Sequence, residues 1–298
     1  MLATQCAICR TEGNATQVYP SNVHEDAFNP VVFSARRLPD RLHYRMVRCN
    51  TCGLVRSDPV AAPETLEQLY AQSTFDYGAE VDSIRRTYGR HLRGLDALGA
   101  RKGCLLEIGC GNGFFLEEAL AQGYADVRGV EPSGDALERA HPSVRNRIVC
   151  DIMRPGLFEP EQFDVVCMFQ VLDHIPNPGE LLDECFRVLK PGGLLLCINH
   201  NVDALSARIL GERSPIVDVE HTYLYSLATM RRMFEQYQFI VRSVTSVYNT
   251  YPLRYLVRLV PLPPTVKEKA LSVLDRSGAG GVTLSVPLGN LSLVAAKP

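Results

Sequence analysis

The order of apolar and polar positions divides the chain into three stretches. Over residues 1–62 the apolar runs are short and broken by Asn, Pro, Asp and Gly, with no helical period. From Pro63 the spacing changes: Leu66, Leu69 and Tyr70 recur at helical intervals, and residues 83–98 carry Ile84, Tyr88, Leu92 and Leu95 on one face. From Lys102 onward short apolar runs alternate with helical patterns, predicting strands over 104–108, 127–130, 147–150, 163–169 and 193–198 and helices over 114–122, 135–140 and 178–189. Asn177, Pro178 and Glu180 form a start signal for the last of these helices, and Lys190-Pro191-Gly192-Gly193 stops it. Such alternation makes a mainly parallel sheet covered by helices on both faces. A helix over 227–239 with Ser226 as N-cap, a strand over 240–247, an irregular segment and a strand over 291–295 complete the chain. The two final strands suit an antiparallel hairpin at the edge of a seven-stranded sheet.

Composition narrows the class without naming a chemistry. The 298 residues suit one large α/β domain and one small one. With 46% hydrophobic and 21% charged residues the chain reads as an ordinary globular protein, and a net charge of −2 supplies no field for nucleic acid. The N-terminus has neither a basic nor an apolar leader region, and no apolar run approaches the roughly 18–20 residues of a membrane span. A cytoplasmic location follows as the expectation. Ten cysteines in a reducing compartment argue for something other than disulfides. Four form two pairs, Cys6/Cys9 and Cys49/Cys52, while Cys104, Cys110, Cys150, Cys167, Cys185 and Cys197 stand singly as small core residues.

The densest chemistry lies at Leu105-Leu106-Glu107-Ile108-Gly109-Cys110-Gly111-Asn112-Gly113-Phe114. An apolar strand carrying an acid breaks into three alternating glycines and enters a helix, which lets backbone amides approach a ligand closely. Dinucleotide, phosphate and adenosyl sites all use such turns. The acid two residues before the first glycine, and a third glycine at Gly113 rather than one place later, resemble the first motif of class I S-adenosylmethionine (SAM)-dependent methyltransferases. Four more pieces follow in order: Gly129-Val130-Glu131, Cys150-Asp151-Ile152, Gln170-Val171-Leu172-Asp173-His174, and Leu189-Lys190-Pro191-Gly192-Gly193. The resemblance implies a Rossmann-like fold and SAM as methyl donor. It places Glu107, Gly109, Gly111, Gly113 and Gln170 around the donor, Glu131 on the ribose hydroxyls, and Asp151 near the adenine amine. Asp164, at a strand start, reads as structural.

Two C-x-x-C knuckles suit a closed tetrahedral Cys₄ zinc site of structural kind, although two reduced pairs or a redox dithiol share the pattern. The arrangement resembles the N-terminal zinc module of methyltransferases acting in sugar, polysaccharide and natural-product pathways, where C-x-x-C-G-L precedes a Pro-x-x-x-x-Leu helix. The predicted organisation is therefore a zinc-binding module over 1–62, a helical linker or lid over 63–101, and a SAM-dependent methyltransferase domain over 102–298.

Methyl transfer to an alcohol or acidic carbon needs a base. The segment Glu220-His221-Thr222-Tyr223-Leu224-Tyr225-Ser226 resembles the family's E-H-x-Y-Y-F-S stretch, which implies His221 as base and Glu220 as its partner. His174 and His200 are further candidates at strand ends, and Tyr70, Tyr77, Tyr223 and Tyr225 are pocket candidates. Leu224-Tyr225 departs from the commoner Tyr-Phe, which leaves the deoxysugar substrate open. The expected acceptor is a hydroxyl or acidic carbon on a small sugar or natural-product intermediate. A zinc-finger rRNA methyltransferase is the rival from another substrate class, with Arg36, Arg37, Arg41, Arg45 and Arg48 as its basic residues, and a catalytically silent SAM-binding scaffold is a third reading. Residues 251–263, with Arg254 and Arg258 one helical turn apart, suit a covering helix, a homodimer contact or a lipid surface.

Overall fold

A computed structural model describes residues 1–23, 32–33, 41–73, 81–260, 262–287 and 289–298. Arg36, Arg37 and Tyr77 lie outside the described residues, as does Pro261 within the 251–263 stretch. The chain opens with strands β1 (Ala15–Tyr19), β2 (Met46–Cys49) and β3 (Val55–Ser57), then helices α1 (Pro63–Ala71) and α2 (Val81–Gly94). The alternating region follows as β4 (Cys104–Ile108), α3 (Phe114–Ala121), β5 (Asp126–Val130), α4 (Gly134–Glu138), α5 (Pro142–Arg145), β6 (Ile148–Val149), β7 (Phe163–Phe169), α6 (Pro178–Val188) and β8 (Leu189–His200). Beyond it lie α7 (Leu205–Leu210), β9 (Tyr223–Leu224), α8 (Leu227–Gln236) and β10 (Ile240–Ser246). The stretch read as irregular contains β11 (Asn249–Pro252), α9 (Leu253–Leu259), α10 (Pro264–Ser277) and β12 (Thr283–Val286) before the closing strand β13 (Asn290–Ala296).

The main sheet has seven strands in the order β10-β13-β8-β7-β4-β5-β6. The five strands of the alternating region run parallel, and β13 inserts antiparallel to both β8 and β10, the closing hairpin the pattern predicts. Period-2 alternation splits neighbouring residues between two cores. Leu106, Val166 and Leu195 join α6 and α8 on one face, while Leu105, Val165 and Leu196 join α2 and α3 on the other. Strand β7 is buried at all seven positions, as befits a central parallel strand covered on both sides.

Local signals held unevenly. Pro178 starts α6, yet Asn177 makes no side-chain cap bond, and β8 begins at Leu189 directly where the helix ends. Ser226 does cap α8: its hydroxyl accepts the Thr229 amide at 3.1 Å, and the Thr229 hydroxyl accepts the Ser226 amide at 2.8 Å, closing a capping box. Cys110, Cys167, Cys185 and Cys197 are buried core residues as expected, but Cys104 is half-buried and Cys150 is exposed.

A second sheet decides how the N-terminal module sits. Its order is β1-β2-β3-β9, so a strand from residues 223–224 completes a sheet begun before residue 58. Cys6, Ile8, Cys49 and Leu54 belong to the same apolar core as Tyr223, Tyr225 and α8. The cysteine module and the larger domain thus share both a sheet and a core.

Candidate functional site

The carboxyl ends of β4, β5, β7 and β8 meet at one edge of the parallel sheet, where open α/β folds bind ligands. The glycine turn after β4 is tied to β5 by the amides of Gly109 and Cys110, which both donate to the Val130 carbonyl, at 2.8 and 3.1 Å. Gly109, Gly111 and Gly113 all have positive φ, at 68°, 54° and 77°. A Cβ at Gly109 would lie 2.5 Å from Val171 Cγ2, and one at Gly113 2.9 Å from Val144 Cγ2, so conformation and space both demand glycine there.

Glu131 closes this turn from β5. Its Oε2 accepts the Gly111 amide and its Oε1 the Ser133 amide, each at 2.9 Å. Burial raises its carboxyl pKa, and the two amide bonds only moderate that effect. Glu107 is 3% exposed, and its Oε2 has no hydrogen-bond partner among the described residues. Burial, then the neighbouring Glu131 charge, pushes its carboxyl well above the usual range. Gln170 holds a φ of 57° at the end of β7, with its backbone N–H donating to the Ile198 carbonyl at 2.7 Å and its Oε1 buried without a partner among the described residues. The turn therefore gathers unsatisfied buried oxygens, two carboxyl groups and a helix start, which fits an adenosyl ligand rich in hydroxyl and amine donors. Asp151 lies near the end of β6 but is engaged locally, accepting the Ile152 amide at 2.8 Å and Arg154 Nε at 3.0 Å. Asp164 sits at the opposite, amino end of β7, holding the Cys104 amide at 2.9 Å, Lys190 Nζ at 2.7 Å and Arg101 Nε at 3.1 Å.

Beside the glycine turn three histidines and a buried acid converge from three segments. His174 follows β7, His200 ends β8, and His221 precedes β9. The His221 ring lies 4.8 Å from that of His174 and 4.6 Å from that of His200. Asp173, 1% exposed, accepts His200 Nδ1 at 2.6 Å on Oδ2, with His174 Nε2 3.7 Å from Oδ1. Burial works to raise the Asp173 carboxyl, but the His174 and His200 imidazoles outweigh it and hold the group well below the usual range. His221 Nδ1 lies 2.8 Å from the Ile216 carbonyl. A carbonyl only accepts, so Nδ1 carries the proton and Nε2 is left as a free lone pair. Burial, then the nearby His200, lowers the His221 pKa against the opposing pull of Asp173 and Asp218, which favours the neutral ring. Tyr70 reaches in from α1, its hydroxyl 2.8 Å from His174 Nδ1.

Two expectations shift here. Asp173, which the sequence reading did not single out, is the carboxylate bonded to His200 in this cluster, while the Glu220 charge bears on Tyr70. Tyr223 and Tyr225 are buried at 2% and 0% exposure in the core beneath the segment, with the Tyr223 hydroxyl donating to the Gln5 carbonyl at 3.0 Å. Sequence reading missed Asp173; its only signal was an acid directly before His174 at a strand end.

The four paired cysteines form a separate cluster, with all four Sγ atoms within 4.8 Å of one another. Cys6 and Cys52 sulfurs are 3.4 Å apart, those of Cys9 and Cys49 3.9 Å. Tetrahedral zinc at about 2.3 Å from each sulfur separates the sulfurs by about 3.8 Å, so the set fits that ion. Burial opposes ionisation of Cys49, but the Cys52 and Thr51 amides outweigh it and bring its thiol down to about 6. Asp173, His200 and His221 also cluster within 4.8 Å. Their 2.6 Å His200–Asp173 contact is a hydrogen bond, closer than the about 3 Å that separates neighbouring ligands of one ion, and marks an acid–base couple.

Comparison with known proteins places this geometry. The family model described as "Methyltransferase domain" matches residues 83–244. A ubiquinone biosynthesis O-methyltransferase of Psychrobacter arcticus is 34% identical over 117 residues, 36% of this chain and 45% of that protein. A protein of the same description from Pseudomonas fluorescens is 38% identical over 115 residues, 36% of this chain and 49% of that one. The chain thus spans about half the length of the curated relatives it matches. Among solved structures, a candidate methyltransferase from Bacillus halodurans superposes with a TM-score of 0.50 at 20% identity, covering 70% of this chain and 99% of that one. A geranyl diphosphate C-methyltransferase from Streptomyces coelicolor gives 0.50 at 15% identity, covering 74% and 87%. These two likenesses establish the Rossmann-like fold.

Proposed function

The chain belongs to the methyltransferase-domain family, whose model matches over half its length, and from that premise we propose that it moves a methyl group from SAM to a hydroxyl or acidic carbon of a small sugar or natural-product intermediate. The observation that carries this reading is the convergence of Asp173, His174, His200 and His221 beside the glycine turn. The naming of the curated relatives as O-methyltransferases favours the hydroxyl among these acceptors.

SAM, when bound, supplies a methyl carbon already activated by its sulfonium. The protein's share is to hold the donor, align the acceptor and remove its proton. The glycine turn and Glu131 bind the donor, with Glu107 and Gln170 offering further acceptors to its polar groups. His221 takes the acceptor proton on Nε2, its tautomer set by the Ile216 carbonyl. The resulting imidazolium lies beside the Asp173 carboxylate, which stabilises it, and His200 orients that carboxylate through its 2.6 Å hydrogen bond. His174, steadied by Tyr70, shapes the wall of the acceptor site. The four cysteines hold structural zinc in this reading.

The test is turnover of labelled SAM by the purified protein against a panel of small hydroxylated and carbon-acid acceptors, with rRNA fragments alongside. Methylation of a small acceptor supports the reading. SAM binding without transfer to any acceptor marks a scaffold, and salt-dependent methylation of rRNA alone marks a nucleic-acid enzyme.

A further inference from the structure

The cysteine module and His221 are connected by more than a shared core. Ser57, the last residue of β3, donates its hydroxyl to the His221 carbonyl at 2.8 Å, and its amide donates to the Thr222 carbonyl at 2.9 Å. Ser57 is fully buried and His221 only 6% exposed, so water cannot replace the hydroxyl if it is removed. Strand β3 is the outgoing arm of the hairpin whose turn carries Cys49 and Cys52, and it pairs Val55 with Leu224 and Arg56 with Tyr223.

Residues beside the first knuckle bond to the same segment and to β3. The Tyr223 hydroxyl donates to the Gln5 carbonyl, next to Cys6. Thr4 Oγ1 donates to the Ser57 carbonyl at 2.8 Å and accepts Arg56 Nε at 3.1 Å. Both knuckles therefore end in hydrogen bonds to, or directly beneath, residues 221–223.

We propose that Ser57 is a positioning residue for His221, and that the four-cysteine module acts as a clamp setting the place of that imidazole in the acceptor site. The clamp rests on the reading of His221 as the base. It acts on the acceptor half alone, because none of these bonds touches the glycine turn or Glu131. Without the Ser57 hydroxyl the turn from Asp218 to Thr222 loses a buried anchor, and a base displaced by about 1 Å costs on the order of 10²-fold in rate.

The experiment compares Ser57→Ala and Ser57→Thr with the unaltered full chain, by kinetics, SAM titration and histidine side-chain NMR. The His221 resonance is assigned by its absence in His221→Gln. In Ser57→Ala we expect kcat to fall by about 10- to 100-fold, SAM affinity to stay within about twofold, and the His221 resonance to move. Ser57→Thr, which keeps a hydroxyl, restores both kcat and the resonance. Unchanged kcat with an unmoved His221 signal overturns the clamp, and so does a parallel loss of SAM affinity, which marks general destabilisation. Should Ser57→Ala not fold, Tyr223→Phe removes the Gln5 bond and must lower kcat and move the His221 resonance relative to the unaltered chain; no change in either overturns the proposal. Full turnover in His221→Gln refutes the base reading alone, since a moved His221 resonance in Ser57→Ala still reports the clamp.

Discussion

On the proposed reading, the donor half and the acceptor half of this site are built on opposite plans. The donor half is a run of backbone: three glycines of positive φ, the amides of Gly109, Gly111 and Ser133, and Glu131 on the neighbouring strand, all between residues 107 and 133. The acceptor half gathers side chains from Tyr70, Asp173, His174, His200 and His221, and depends on Ser57 and the cysteine module for its footing. A ligand common to a whole family can be met by backbone geometry that tolerates few sequences. Acceptors differ from one family member to the next, and the side chains that meet them come from wherever the fold brings chain together.

Separate variants should break the two halves independently. The largest effect is expected from His221→Ala, which should lower turnover by about 10²–10⁴-fold while SAM affinity, measured by titration calorimetry, stays nearly constant. An equal fall in SAM binding would instead make His221 a support of the whole pocket. Next comes the cysteine cluster: elemental analysis should find one zinc per chain, lost together with the order of the N-terminal sheet in Cys6→Ser/Cys49→Ser. Metal-free protein with that sheet intact contradicts the zinc assignment.

Glu131→Ala attacks the other half. It strips the Gly111 and Ser133 amides of their buried acceptor, at about 1–3 kcal/mol each, and removes a carboxylate from the donor site. SAM should bind at least about tenfold more weakly, while any acceptor affinity is preserved. Normal SAM binding in this variant would show that the turn holds its ligand without Glu131.

The smallest predicted effect is on pH dependence. Burial and the neighbouring His200 lower the His221 pKa, against the opposing pull of Asp173 and Asp218. A base with a lowered pKa stays neutral as pH falls through the ordinary histidine value, so the acid limb of kcat/KM should lie below about 6.5. Stability carries the same sign: between the folded value and about 6.5 the unfolded chain binds more protons at this residue, so the His221 contribution weakens the fold as pH falls through that window. In Asp173→Asn the limb should move further down, because an attractive charge is lost. A limb that rises in that variant contradicts the grouping of Asp173 with the imidazoles.

Much of this molecule was legible from local order in the chain. The alternation of strands and helices, the glycine turn and the two cysteine knuckles were read from neighbouring residues, because each rests on backbone conformation or short spacing, whereas Glu131 was singled out through the family resemblance. The capping box at Ser226 was likewise local, and it stands in the structure. The excursion between β10 and β13 was legible only in part: α9 falls within the 251–263 stretch that suits a covering helix, whereas β11, α10 and β12 lie where no period was read, among described side chains that bury little. His174, His200, His221 and Tyr70 were candidates from the sequence, but only tertiary structure decided how they group. Nothing in the spacing of His174, His200 and His221 places the rings of His174 and His200 each within 5 Å of that of His221, and nothing near residue 220 announces the bond between Asp173 and His200. Nor could local pattern join Ser57 to His221 across 164 positions. Those contacts follow from the order of strands in two sheets, a consequence of how the whole chain buries its apolar faces and satisfies its backbone hydrogen bonds.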